Sequence, residues 1–383
     1  MIYSIPYLLL LTIFALCAFF YDNIEDERKK SWINMGVVVL FYVFFAFRGY
    51  LYTDWVSYVN YFDYVEWDDL LSWDPFNSKS FEPGFALLTL VCKSIYNNYF
   101  FLVAVCTTID TIFFVKFLKY REINNLALIF MLFCTFDGLG IMFNILRNAI
   151  SIFMMMYALQ YIEKRKPMRY FTFCFIGFLF HSSTLVFVPL YFFLHRKLNK
   201  WVFIGIAVFC LLFFISNISI VVSIISLLGM EGMFGGKIET YTEFITSSRS
   251  LSLLGILDTF SIAVFVFMYY DKLTEKFKNH IVIINSLLLF LIMYYMLAEF
   301  KVLSGRLATL FYYSHWVLWS DIVHIMYYKN NRILLSIILY MYCSFYITRT
   351  ITRPCQEYDN LLFGTKSYQE RVTIIRRTYK EDA

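Results

Sequence analysis

The sequence predicts an all-α polytopic membrane protein of about twelve crossings. Three observations predict it. The chain is 60% hydrophobic, 21% aromatic and only 16% charged. Apolar runs long enough to cross about 30 Å of hydrocarbon recur along its whole length. The basic residues between those runs alternate from rich loops to poor ones, as they do when successive loops lie on opposite sides of a bilayer.

Taken in order, residues 3–21 form the first run. It lacks a basic n-region and a small-residue cleavage site, so a retained anchor is expected and not a signal peptide. Span 32–47 follows, then a segment, 48–99, without a uniform apolar run, which is expected to be external. Within it, Phe81-Glu-Pro-Gly-Phe85 opens a helix running to Ile95, with Pro and Gly at an entry suited to a helix N-terminus. Lys93 and the Asn97-Asn98 pair oppose a full crossing, so this helix should lie in the interface or re-enter from outside. Spans 100–118, 125–141 and 145–163 come next. Segment 168–195 is too short for two full spans but has basic flanks on both sides, which predicts a tight hairpin of two short helices. The remaining spans are 201–228, 252–271, 281–299, 305–328 and 333–349. Between the first two of these, 229–251 is a Gly-rich external loop, suited to a mobile lid or to a plain solvated turn. The chain reads as one transmembrane catalytic domain, 1–350, followed by a polar tail, 351–383, with no internal repeat.

Eighteen of the 33 Lys and Arg fall in six short loops: Arg28–Lys30, Lys116–Arg121, Lys164–Arg169, Arg196–Lys200, Lys272–Lys278 and Lys329–Arg332. The alternate face holds eight: Arg48, Lys79, Lys93, Arg147, Lys237, Arg249, Lys301 and Arg306. The first set is expected to be cytoplasmic and the second external. The last seven lie in or beside the tail, where their charge runs against the rule and leaves its side open. The eight cysteines show no C-x-x-C or Cys/His spacing and read as small apolar packing residues. Short basic tracts tied to span ends give no support to nucleic-acid binding.

Eight ionisable residues sit where an apolar chain should not have them: Arg48, Asp54, Glu82, Asp137, Arg147, His181, Arg249 and Arg306. Charges at membrane depth are expensive and mark function by default. On the predicted topology they converge at the external edge of the bilayer. Arginine binds phosphate oxygens through two parallel bonds and keeps its charge when partly desolvated, so the cluster suits an anionic head group such as a lipid-linked diphosphate. Asp54 and Glu82 are candidate bases, and His181 a proton shuttle or phosphate donor. Trp55 and Tyr58, in a run of aromatics from Tyr50 to Trp73, suit stacking on sugars or an ordinary interfacial belt. Bland readings stand beside these: a snorkelling anchor for Arg249, a turn residue for Asp137, a packing histidine for His181, a first-turn acid for Glu82. No H-E-x-x-H, P-loop, G-x-S-x-G or metal-ligand spacing is present, so no cofactor is expected.

Four stretches then carry a resemblance: Arg48-Gly-x-x-x-Thr-Asp54-x-x-x-Tyr58; Glu82-Pro-Gly-Phe85; Arg147-Asn-Ala-Ile-Ser with its tract to Glu163–Lys166; and Phe180-His181-Ser-Ser-Thr-Leu-x-Phe-x-Pro189. Arg306 ahead of Tyr312-Tyr313 supports them. In this order they resemble the EpsG-like family of exopolysaccharide and O-antigen (Wzy-type) polymerases, over most of the chain. Asn148 stands where many members carry Gln. The resemblance implies a multi-pass glycosyltransferase of the bacterial inner membrane. It would transfer a growing glycan from undecaprenyl diphosphate to a hydroxyl of the next lipid-linked repeat unit, on the periplasmic or outer face, with a chain-length regulator as a further partner. A ligase attaching finished glycan to another acceptor shares every feature. A lipid-linked oligosaccharide flippase or transporter should spread its charges along a central path, and an acyltransferase should take a cytoplasmic acyl donor.

Overall fold

The computed structural model describes residues 2–70, 73, 81–216, 253–276 and 280–381. Among these residues every regular element is helical, and the only β-pairings are two isolated bridges, Arg48 with Asn360 and Asn360 with Gly364. The described chain packs as two compact units, 1–191 with 328–383, and 192–327.

The first unit begins with α1 (Ile5–Asn23) and α2 (Glu27–Ala46). Asp26 caps α2 by accepting from the Arg28 N–H at 2.8 Å, which stops one helix and starts the next over three residues. Two short helices follow, α3 (Trp55–Tyr64) and α4 (Pro83–Ile95), the second matching the helix expected from Glu82-Pro-Gly. Then come α5 (Tyr99–Tyr120), α6 (Leu126–Phe133), α7 (Leu139–Asn144), α8 (Leu146–Glu163) and α9 (Pro167–Phe178). The second unit holds α10 (Lys200–Ile215), α11 (Leu253–Lys276), α12 (His280–Leu291), α13 (Lys301–Thr309) and α14 (Tyr313–Ile325). A buried His280–Asp321 pair and a Tyr313 hydroxyl donating to Ser286 at 2.7 Å tie α12 to α14. The chain returns to the first unit as α15 (Lys329–Thr350) and ends in α16 (Tyr368–Glu381).

Among the described residues, five helical stretches are long and apolar enough to cross a membrane: Ile2–Asn23, Glu27–Ala46, Tyr99–Tyr120, Leu126–Asn144 and Lys329–Thr350. The structure is that of a helical membrane protein. The stretch Leu126–Asn144, where a span over 125–141 was expected with Asp137 as a site or turn residue, is kinked at a wide π-type turn over Cys134–Gly138, where Asp137 adopts φ +62°. The segment 168–195 holds two short helices as expected, but the two are of different kinds. Only α9 is an α-helix; Ser182–Phe192 is a 3-10 helix. Pro189 removes a helix donor there, and the β-branched Thr184, Val186 and Val188 are stiff at χ1, which together weaken an α-helical path. Arg249 and the loop 229–251 lie outside the described residues.

In the first unit, contacts sort the helix ends. At one end Asn125 caps α6 and its amide reaches Ala18 O (3.1 Å) and Asp22 Oδ1 (3.0 Å). The same end holds a buried Arg121–Glu163 ion pair at 2.5 Å, with the Tyr120 hydroxyl on Glu163 at 2.8 Å. These are the ends flanked by the basic loops. Arg147 begins α8 far from Glu163, at the other end of a helix about 27 Å long.

Candidate active site

The chain breaks its helix at Ile145 (φ −109°, ψ 52°), between α7 and α8. That break puts Asn144, Arg147 and Asn148 around the head of α8, and each takes part in a contact that organises the cluster. The Asn144 carboxamide oxygen accepts the main-chain N–H of Asp54 at 3.0 Å and of Thr53 at 3.3 Å, so it anchors the entry to α3. Asp54 stands at the N-cap of α3 without using its side chain as a cap; its Oδ1 instead accepts the Thr53 hydroxyl at 3.3 Å.

Arg147 pairs through Nη1 with Glu82 Oε2. Its guanidinium also lies 4.2 Å from the centre of the Phe81 ring. The Arg147 side chain keeps 22% exposure, and that of Glu82 8%. Glu82 precedes Pro83 at the start of α4, where a first-turn acid was one expectation. It makes no cap bond; its second oxygen accepts the Ser182 N–H at 3.0 Å. Glu82 therefore joins α4, α8 and the turn after α9. Gly84 permits that junction: its N–H donates to Leu179 O at 2.8 Å, and a Cβ there would sit 2.7 Å from the same carbonyl oxygen.

His181 is fixed by its own turn. The Ser183 N–H donates to Nδ1 at 3.1 Å, and the Ser183 hydroxyl lies 2.8 Å from the same nitrogen and 2.8 Å from Asn148 Oδ1. A main-chain N–H cannot accept, so Nδ1 is an acceptor and the neutral ring carries its proton on Nε2. Such an imidazole donates a hydrogen bond, which suits a phosphate oxygen better than it suits a base.

Beneath the charges lies an apolar wall of Phe62, Phe85, Leu102, Leu146 and Ile150 from α3, α4, α5 and α8. Tyr58 is 7% exposed, and burial pushes its phenol up to about 12 although Arg147 beside it pulls the other way. It stays protonated at any working pH. Trp55, 2% exposed, packs against Tyr50 with centroids 4.4 Å apart.

The structure thus joins Asp54, Glu82, Arg147, His181 and Tyr58 through Asn144, Asn148 and Phe81. Arg48 has a different set of partners. It is 4% exposed, donates to Phe45 O (2.6 Å) and Thr107 Oγ1 (3.3 Å), and lies over Phe143 at 5.6 Å. Arg306 is exposed on α13 in the second unit. The Glu82–Arg147 pairing was not visible in sequence, because the two residues are 65 apart and each looked like a separate span-end charge.

Long apolar helices with a half-buried charged cluster at one end of the first unit define the class: a multi-pass helical membrane protein carrying a polar site. The chain belongs to the EpsG family, whose family model matches residues 31–362, from α2 through the segment after α15. It is thereby an exopolysaccharide-related membrane protein. Nothing matches among curated proteins or solved structures.

Proposed function

We propose that this EpsG-family chain is a Wzy-type polymerase. It transfers a growing glycan from undecaprenyl diphosphate to a sugar hydroxyl of another lipid-linked repeat unit, at the external face of the bacterial inner membrane. The observation that carries the reading is Arg147: a largely buried guanidinium, stacked on Phe81 and held by one carboxylate, at the head of a helix whose Asn148 ties to the His181 turn and whose preceding Asn144 ties to Asp54. An arginine so placed suits a diphosphate at the lipid–water boundary.

In the reaction, the acceptor hydroxyl oxygen bonds to the anomeric carbon of the donor as the bond from that carbon to the diphosphate oxygen breaks. Arg147 balances the charge gathering on the departing diphosphate. The Nε2–H of His181 supplies a second donor to it. Asp54 takes the proton from the attacking hydroxyl, and the buried Tyr58 and Trp55 back the wall beside the sugar. Arg48, buried and donating to Phe45 O and Thr107 Oγ1, holds the end of α2 in this reading. Purified protein incubated with a synthetic lipid-diphosphate repeat unit should yield a ladder of longer glycans. A single transfer to a different acceptor with no ladder refutes the polymerase and favours a ligase.

A further inference from the structure

The tail read from sequence as merely polar is folded onto the loop that carries Asp54. Leu361 N–H donates to Phe47 O at 2.7 Å, Gly49 N–H to Asp359 O at 3.1 Å, and Tyr52 N–H to Cys355 O at 3.0 Å. The Tyr7 hydroxyl reaches Gln356 O at 2.8 Å, and Tyr358 stacks on Phe44 with centroids 4.1 Å apart. The tail therefore meets the start of α1 and the end of α2, the end of the first unit to which Arg48 belongs.

Two features of this contact bear on the site. Tyr52 has φ +64°, a left-handed conformation uncommon outside glycine and kept only where its surroundings enforce it. The tail carbonyl of Cys355 takes its N–H, two residues before Asp54. Next, Arg371 on α16 is 1% exposed, donates to Glu357 O at 2.7 Å and pairs with Asp359 Oδ2 at 2.7 Å. Asp359 also fits so closely over Gly49 that a Cβ there would overlap its carboxylate. Tyr368, three residues before Arg371, sets its ring edge against Trp55 at 5.4 Å.

We infer that the C-terminal segment 351–381 lies on the same membrane face as Asp54 and acts as a positioning strap, with the Arg371–Asp359 pair fixing the geometry of loop 49–54. Asn144 holds that loop from the α8 side and the tail holds it from the other. Arg371 lies beyond the matched family residues, so nothing in the family assignment supplies this role. The inference rests on the proposed polymerase only for its effect on turnover; the geometry stands without it.

The test uses the full chain in detergent. Arg371→Met keeps volume and removes the charge; Arg371→Lys keeps the charge. Hydrogen exchange, read by mass spectrometry on the peptide covering 49–54, should accelerate by at least about tenfold in Arg371→Met and less in Arg371→Lys, while peptides of α12 and α14 stay as in wild type. Tyr368→Ala serves if Arg371→Met does not fold, and should show the same local acceleration. Unchanged exchange at 49–54 overturns the strap. In cells, Thr365→Cys should show the same labelling as Asp54→Cys; labelling of one from outside and of the other only after permeabilisation overturns the shared face. For turnover, Arg371→Met should lower kcat with KM for the lipid-linked donor within about twofold, and a change confined to KM counts against positioning. If wild type makes no polymer, the polymerase reading fails while the exchange and labelling results still decide the strap.

Discussion

Replacing Arg147 by lysine separates its charge from its shape. Arg147 does three things at once: its guanidinium bonds Glu82 and lies 4.2 Å over Phe81, while its side chain keeps 22% exposure. Lysine retains the charge and loses the planar fork and the stacking. A charge-assisted hydrogen bond contributes about 1.5–3 kcal/mol, and stacking of a partly desolvated cation about 1 kcal/mol. The fold loses little, because lysine still neutralises Glu82 and the partial exposure discounts the rest. The bond to the departing diphosphate is lost in the transition state, so kcat/KM should fall roughly 10- to 100-fold. The assay is ladder formation from a synthetic lipid-diphosphate repeat unit, with thermal unfolding in detergent run beside it. Wild-type kcat/KM in Arg147→Lys refutes the assignment of the diphosphate to this arginine. Equal losses of activity and of folded protein refute it as well, because the arginine would then be structural.

Three further outcomes are expected. Asp54→Asn is nearly isosteric and leaves the main-chain bonds to Asn144 intact, so the protein should fold and bind donor but form no polymer. Normal polymer from Asp54→Asn together with none from Glu82→Gln reverses the two roles. His181→Gln should keep more activity than His181→Ala, since an amide can replace the Nε2–H donor, and its pH profile should lack a histidine-limited acidic limb; equal loss in both sinks the donor role. Cysteines introduced at positions 54 and 181 should label from outside intact cells and those at 166 and 276 should not, with the reverse pattern at 54 and 166 overturning the topology.

Much of this molecule was legible because lipid punishes polarity. Helices such as Tyr99–Tyr120 announce themselves as long apolar runs, and a charge inside or beside one stands out against them. That contrast singled out Glu82, Arg147 and His181 before any contact was known. It did not reveal that Glu82 is the partner of Arg147, since pairing between residues 65 apart leaves no trace in local periodicity. The kink at Cys134–Gly138 and the 3-10 path of Ser182–Phe192 were hidden for a related reason: hydropathy reports burial, and it is indifferent to hydrogen-bond register. The tail was hardest. Its composition is that of a solvated extension, yet Arg371 is buried against Glu357 and Asp359, and Asp359 in turn meets Gly49 about 310 positions upstream.

The Glu82–Arg147 pair also bears on how a site of this kind is kept ready. A half-buried guanidinium without an anion would be costly, and a carboxylate beside it removes most of that cost. In the proposed reaction, a diphosphate arriving at Arg147 would bring its own negative charge, so the cation would exchange one anion for another with little net desolvation. The Ser182 N–H gives Glu82 somewhere to remain, 3.0 Å away, when the arginine turns to the substrate. On the proposed function, Glu82 would be both the resting counter-ion and the link from donor binding to the turn holding His181. A proton acceptor for the sugar hydroxyl is better sought elsewhere. Asp54, at the entry to α3 with its Oδ1 accepting the Thr53 hydroxyl at 3.3 Å, is the carboxylate of the cluster that does not hold Glu82's place beside Arg147.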